Sequence, residues 1–285
     1  MDLMHHIAEK LPTLGAAEQR LAEFVRANPH SVAFVSARTL AAQAGVSPAT
    51  VVRFFPRLGY ASYAEAQQQL QTTLAGQYEA PGQRLTGDGA PRGALSVAQQ
   101  ALEQDMRNLQ AMTPLLQSPG FAQLLTWLST CQGRVAVVGG RYSRGPAQLL
   151  ANQLAVALPT ELVDPEQSAS ERLQDYGEND LVLCLSVRRY LRSTLEIARW
   201  LRTRGVPVVA FTDDALAPIA LHCDLPLVLP TQGAALFDSY TAFTALGNAL
   251  VGELSLSRRT TVTARAQARE QLDAQLGLYP GKPRS

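Results

Sequence analysis

Ala37-Arg38-Thr39-Leu40-Ala41-Ala42-Gln43-Ala44-Gly45-Val46-Ser47-Pro48-Ala49-Thr50-Val51-Val52-Arg53-Phe54-Phe55-Pro56-Arg57-Leu58-Gly59-Tyr60 reads as two short helices joined by a tight turn. Gly45 stands where the first helix must end, because a residue without Cβ enters the left-handed region at least cost. Ser47 is a candidate N-cap and Pro48 fits a first helical position, so a second helix starts two residues later. Ala41 is small where the helices cross, and Val46, Val51 and Phe54 supply packing beneath the turn. The pattern is that of a helix-turn-helix.

On the second helix Thr50, Arg53 and Arg57 recur at i, i+3 and i+7, opposite the apolar positions, and are expected to share one exposed face. Ser47 and Ala49 lie near its N-terminus, the end that enters the major groove of DNA in this motif. Arg53 suits bidentate pairing with guanine O6 and N7, whereas Arg57 and Arg38 are placed for phosphates. Between Ser36 and Ala64 there are three arginines and no acid, yet residues 1–80 carry six basic and six acidic side chains. One such domain neutralises few phosphates, so a homodimer or homotetramer on a pseudo-palindromic double-stranded operator is expected. A helical bundle with solvated arginines is the alternative.

The chain around this motif has 285 residues, 46% hydrophobic and 17% charged. That is enough for two domains with cores of their own, and it excludes a disulfide miniprotein and low-complexity disorder. Because 25 Lys+Arg balance 24 Asp+Glu, any affinity for anions must come from local clustering. Cys131, Cys184 and Cys223 are odd in number and set in apolar runs, as expected of reduced, buried thiols in a cytoplasmic protein with no metal site or cofactor. The opening Met1-Asp2-Leu3-Met4-His5-His6 lacks the features of an export signal, and no apolar run approaches the ~18 residues of a bilayer span.

A breaker-rich run from Gly76 to Gly93, with five Gly and two Pro, divides the chain into a helical domain at 1–75, a linker at 76–95 and a second domain at 96–285. In the second domain, helices at 96–112 and 121–130 precede apolar β-branched runs at 135–138, 160–163, 181–185, 206–211 and 225–229 that alternate with helical patterns. Near-continuous apolarity of this kind predicts a parallel sheet covered on both faces, a doubly wound α/β domain. A last helix at 237–256 carries Phe243, Leu246, Leu250 and Leu254 as a stripe toward the sheet or a partner subunit, and the tail after Leu276 is expected to fray.

Ala17-Glu18-Gln19-Arg20, Asn28-Pro29, Gly45 through Phe54 and Leu58-Gly59-Tyr60 together resemble the N-terminal domain of RpiR-family bacterial transcription regulators. The resemblance implies a DNA-binding regulator whose second domain is a sugar isomerase (SIS) domain that senses a small phosphorylated metabolite. In that domain the first strand ends in a Gly-rich turn and the third in a Ser/Thr-rich turn, each opening a helix whose amides hold a phosphate.

The first turn here, Gly139-Gly140-Arg141-Tyr142-Ser143-Arg144, has Arg141 where the family favours Gly. The second departs further: where the family reads Ser-x-Ser-Gly-x-Thr, this chain has Ser186-Val187-Arg188-Arg189-Tyr190-Leu191. Arg141, Arg144, Arg188, Arg189 and Arg192 therefore gather at two strand ends, where with Gly139, Gly140, Ser143 and Ser186 they form a candidate site for a small anion such as a phosphorylated acid or dicarboxylate. Two alternatives stand beside it: a degenerate pocket whose arginines pair with the seven acids between Glu161 and Asp180, and a SIS-fold isomerase. The latter needs an acid and a base, and His222, the one histidine of this block, is expected to cap or pack.

Overall fold

The computed structural model describes residues 3–76 and 96–278. The expected linker lies outside these residues apart from Gly76, as does the tail from 279 onward.

The N-terminal domain is all helical: α1 (Leu3–Lys10), α2 (Ala16–Ala27), α3 (Pro29–Val32), α4 (Ala37–Gln43), α5 (Pro48–Arg57) and α6 (Tyr63–Gly76). Its turn is built by local chemistry. Gly45 takes φ +65° and Ser47 accepts the Thr50 amide at 3.1 Å, with Pro48 opening α5. Leu40, Ala41, Val51, Phe54 and Phe55 are buried in one apolar cluster. Tyr63 on α6 donates its hydroxyl to the Val32 and Val35 carbonyls, which ties the third helical layer to the exit of α3.

The second domain begins with α7 (Val97–Leu116) and α8 (Pro119–Thr130), then runs β1 (Val135–Val138), α9 (Arg144–Leu154), β2 (Thr160–Val163), α10 (Ala169–Leu173), β3 (Leu181–Ser186), α11 (Arg192–Thr203), β4 (Val208–Thr212), β5 (Leu225–Val228), α12 (Thr241–Ser257) and α13 (Arg259–Leu276). All strand pairs are parallel, in the order β2-β1-β3-β4-β5. Alternate residues serve opposite faces, as the pleat requires. Val135, Val137, Leu183 and Phe211 join the core under α8, α9 and α12, while Ala136, Val138, Cys184 and Ala210 join the core under α11 and the 3₁₀ turn Pro218–Leu221.

Three expectations change. β5 is an edge strand buried on one face only, with Pro226 and Val228 outward; Pro226, which has no N–H to donate, is tolerated there. The last predicted helix starts at Thr241, because Ser239 holds the preceding segment by accepting the Thr241 amide and donating to Asp105 of α7. The stripe Phe243, Leu246, Leu250 and Leu254 is buried on the sheet, which settles its orientation. All three cysteines are free; Cys184 and Cys223 are buried, but Cys131 is only half-buried.

Candidate functional site: a helix-turn-helix face and an arginine-rimmed cleft

The exposed face of α5 differs from the one the spacing predicts. Thr50 is only 8% exposed, and its hydroxyl bonds that of Ser47 at 2.9 Å, so both side chains serve the helix start. Arg57 donates to Glu18 of α2 at 2.5 Å and to the Thr13 carbonyl, which ties α5 to the helix beside it. Arg38, Ala49 and Arg53 remain exposed, and the two arginines have no acidic partner among the described residues. The face that solvent sees is Pro48, Ala49, Val52, Arg53, Pro56 and Arg57. Val52 escaped the sequence argument because a valine in a helical run is ordinarily counted as core.

In the second domain β1 and β3 are neighbours whose following connections leave in opposite directions, and ligands of doubly wound sheets bind outside the carboxyl ends of strands at such a switch point. A cleft of about 320 Å³ opens there. Gly140, Arg141 and Ser143 line one wall, Ser186, Arg188, Arg189 and Thr194 a second, and Phe237, Asp238 and Tyr240 a third. Gly139 sits behind the lining, where its bare Cα lies so close to Ala147 and the Ser143 carbonyl that a Cβ would collide.

The five arginines separate into three kinds. Arg144 turns to Asp164 at 3.2 Å and Arg192 projects from the start of α11, both outside the lining. For Arg144 the pairing with the acid-rich segment is what the structure adopts. Arg188 bridges Asp238 at 2.9 Å and Asp213 at 3.6 Å, two acids outside that segment. Arg141 and Arg189 line the cleft without an acidic partner among the described residues, and both hold left-handed backbone, at φ 51° and 63°.

Those are the two positions where the family pattern carries glycine. Both turns place a cation on backbone that glycine adopts more readily, at a cost of about 1–2 kcal/mol each. Strain retained in this way belongs to sites more often than to scaffolds.

Behind the rim the polar groups are buried. Asp213 accepts the Arg188 amide at 3.1 Å and the Tyr190 hydroxyl at 3.0 Å. Burial pushes its carboxyl up to about 6, against the opposing pull of Tyr190 and Arg188. Ser143 and Tyr240 share a hydroxyl bond of 3.2 Å, and burial raises the Tyr240 phenol to about 12. Tyr142 and Phe237 meet at 5.3 Å across the mouth. Asp238, Phe237 and Tyr240 had no signal in the sequence, because they reach the cleft through a connection far along the chain. His222 lies at the end of the 3₁₀ turn, outside the lining.

Asp213 also starts the segment that joins the two domains. Three residues on, Leu216 is 3% exposed and packs within the apolar cluster of the helix-turn-helix domain, with Ala215 against it. The Asp214 carboxylate fixes the turn by accepting the Leu216 amide at 2.8 Å. A second, more open cavity of about 570 Å³, lined by Thr72, Arg107, Asn108, Asp213 and Gln232, shares Arg188 with the first.

Residues 1–77 match the model of a helix-turn-helix domain of the rpiR family, and residues 128–252 match that of a SIS domain. The chain is 26% identical over 233 residues to an uncharacterized HTH-type transcriptional regulator, YfhH, of Escherichia coli K12, covering 78% of this chain and 80% of that one. It superposes on the sugar isomerase domain of an RpiR transcription factor from Sphaerobacter thermophilus with a TM-score of 0.58 and 25% identity, over 61% of this chain and 98% of that one. The Vibrio vulnificus NanR protein, solved in complex with ManNAc-6P, aligns over 96% of this chain and 99% of its own with a TM-score of 0.56 and 19% identity, a likeness of fold. The chain therefore joins a helix-turn-helix domain of the rpiR family to a SIS domain, and is similar along most of its length to an HTH-type transcriptional regulator.

Proposed function

We propose that the cleft binds a small anion of the phosphosugar or sugar-acid class and that its occupancy changes the affinity of the helix-turn-helix domain for an operator. The observation that carries this reading is the pair Arg141 and Arg189, strained, without acidic partners among the described residues and facing one cavity at the switch point of the sheet. Two guanidiniums offer bidentate donors to a phosphate or carboxylate. The buried hydroxyls of Ser143, Ser186 and Thr194 offer partners to sugar oxygens, and Tyr142 with Phe237 an apolar edge. NanR, with the same fold, was solved with a phosphosugar, which supports the class. The family's neutral hydroxyl cradle is replaced here by cations, so the ligand is held in a different manner.

Arg188 connects the cleft to the DNA-binding domain. An anion that draws its guanidinium away leaves Asp213 short of a partner, and Asp213 begins the turn that carries Leu216 into the helical core. The reading is that of a sensor without turnover. Among the described residues the cleft is lined by neither His nor Glu, and its acid, Asp238, is bound to Arg188.

A second copy of the chain is the partner that a two-fold operator requires. Helix α7 supports this, because it is inverted: Gln104 and Asn108 are buried and hydrogen-bonded to Gln232, while Leu102, Met106, Leu109 and Leu116 face outward along one stripe. Exposed apolar stripes of this length mark association surfaces.

The test is the double variant Arg141→Gly, Arg189→Gly, titrated calorimetrically with ManNAc-6P, inorganic phosphate and malonate. Wild type is expected to bind at least one of them. The variant is expected to lose that binding while its own melting temperature rises, since strain is relieved. Equal binding by both proteins would remove the arginines from the site.

A further inference from the structure

The exposed face of α5 leaves an unusual choice of chemistry for reading bases. Of its six exposed residues, Pro48, Ala49, Val52 and Pro56 have no side-chain hydrogen-bonding group, and Arg57 is held on Glu18. Arg53 is the remaining donor, and the Ser47 and Thr50 hydroxyls are engaged with each other at the helix start. No amide side chain is present on α5 to pair with adenine, and no carboxylate to pair with cytosine. What stands beside Arg53 is Val52, 61% exposed. A β-branched residue so exposed gains nothing from burial and forms helix less readily than alanine, so its own domain supplies no reason for it.

We infer that Val52 reads a thymine through the 5-methyl group. This rests on the assignment of α5 as the helix that enters the major groove, and it deepens that assignment. In that groove the methyl is the single apolar mark on a base edge, and apolar side chains recognise it by contact. Ala49 and Pro56, one turn to either side on the same face, are small or flat enough to let the helix approach closely. Arg38 and Arg53 provide positive charge around this strip, and no acid lies between Ser36 and Ala64 to oppose it, which is the complement of DNA. Since Val52 and Arg53 are adjacent, each half-site is expected to hold a guanine and a thymine within one or two base pairs of each other.

The test uses the full-length protein and a duplex that it enriches from a random-sequence pool. Each thymine of one half-site is replaced in turn by deoxyuridine, which removes the methyl and leaves base pairing intact. One replacement is expected to weaken wild type about fourfold, the factor for about one buried methyl group. Val52→Ala is expected to bind the thymine duplex about as weakly as wild type binds the deoxyuridine duplex, and to no longer distinguish the two. Its thermal melting should not fall, since alanine forms helix more readily than valine. Val52→Thr, equal in size but with one methyl exchanged for hydroxyl, should fall between. Indifference of wild type to every deoxyuridine, or undiminished discrimination by Val52→Ala, would overturn the inference while leaving the DNA-binding role in place. Failure of wild type to enrich any sequence would overturn both.

Discussion

Helix α5 and the turn Ser186–Arg189 both carry arginines at the protein surface, and they hold them by opposite means. On α5 the scaffold is local: Gly45, Ser47 and Pro48 set the turn and the cap, and Arg53 is left without an acidic partner among the described residues. In the turn after β3 the scaffold is remote. Arg188 is fixed by Asp213 and Asp238, from two later connections, and Arg189 stands in a backbone region that its Cβ disfavours. A face stabilised by its own helix can be stripped of its functional cation at little cost. A turn stabilised through its cations cannot, and a ligand that competes for them acts on the fold itself.

The largest expected effect follows from that contrast. Arg188→Ala leaves two largely buried carboxylates without their cation and should cost on the order of 3 kcal/mol of stability. Arg53→Ala, on an exposed helix face, should stay within about 0.5 kcal/mol. Urea denaturation of both variants measures the difference, and equal losses would break the comparison.

Next in size is the joint between the regions. Leu216→Ala removes a buried side chain that one domain lends to the other's core, which should cost roughly 2–3 kcal/mol. Calorimetry is expected to resolve two unfolding transitions in the variant, the helical domain first. A single transition, unchanged in shape, would mean that Leu216 does not couple the domains.

The smallest effect concerns pH. Burial holds the folded Asp213 carboxyl at about 6, above its ordinary 3.8. The folded chain therefore keeps this proton more tightly than the unfolded one. The stability it contributes is full below the ordinary value and is lost as pH rises through about 6. Asp213→Asn should flatten the stability profile between about pH 4 and 6. An undiminished slope would assign that titration to another group.

The strands and the turn were legible because each is signalled within a few residues. The five apolar runs fall on the five strands to within two residues at either end, and Gly45, Ser47 and Pro48 occupy the places that capping chemistry assigns them. Thr50 was misplaced because helical spacing puts it on the face of Arg53 and Arg57, whereas α2, packed beside α5, narrows that face until Thr50 is covered. The same neighbour claims Arg57 through Glu18. At the cleft the glycine-to-arginine exchanges were visible as departures from a pattern. The left-handed conformation kept at both positions was not visible, because nothing adjacent to Arg141 or Arg189 demands it.

What the amino-acid sequence by itself determined is the order of helices and strands, the turn between α4 and α5, and the concentration of arginine at two strand ends. These depend on spacing, on φ preferences and on capping groups within about four residues, which no distant contact has to supply. Which arginine is free was decided only by the tertiary structure. A guanidinium takes whichever carboxylate the packing brings within reach: Asp164 for Arg144, Asp213 and Asp238 for Arg188, and none for Arg141, Arg189 or Arg53 among the described residues. Charge pairing acts across space and is indifferent to sequence separation, so the paired cations become distinguishable from the others once the chain has folded.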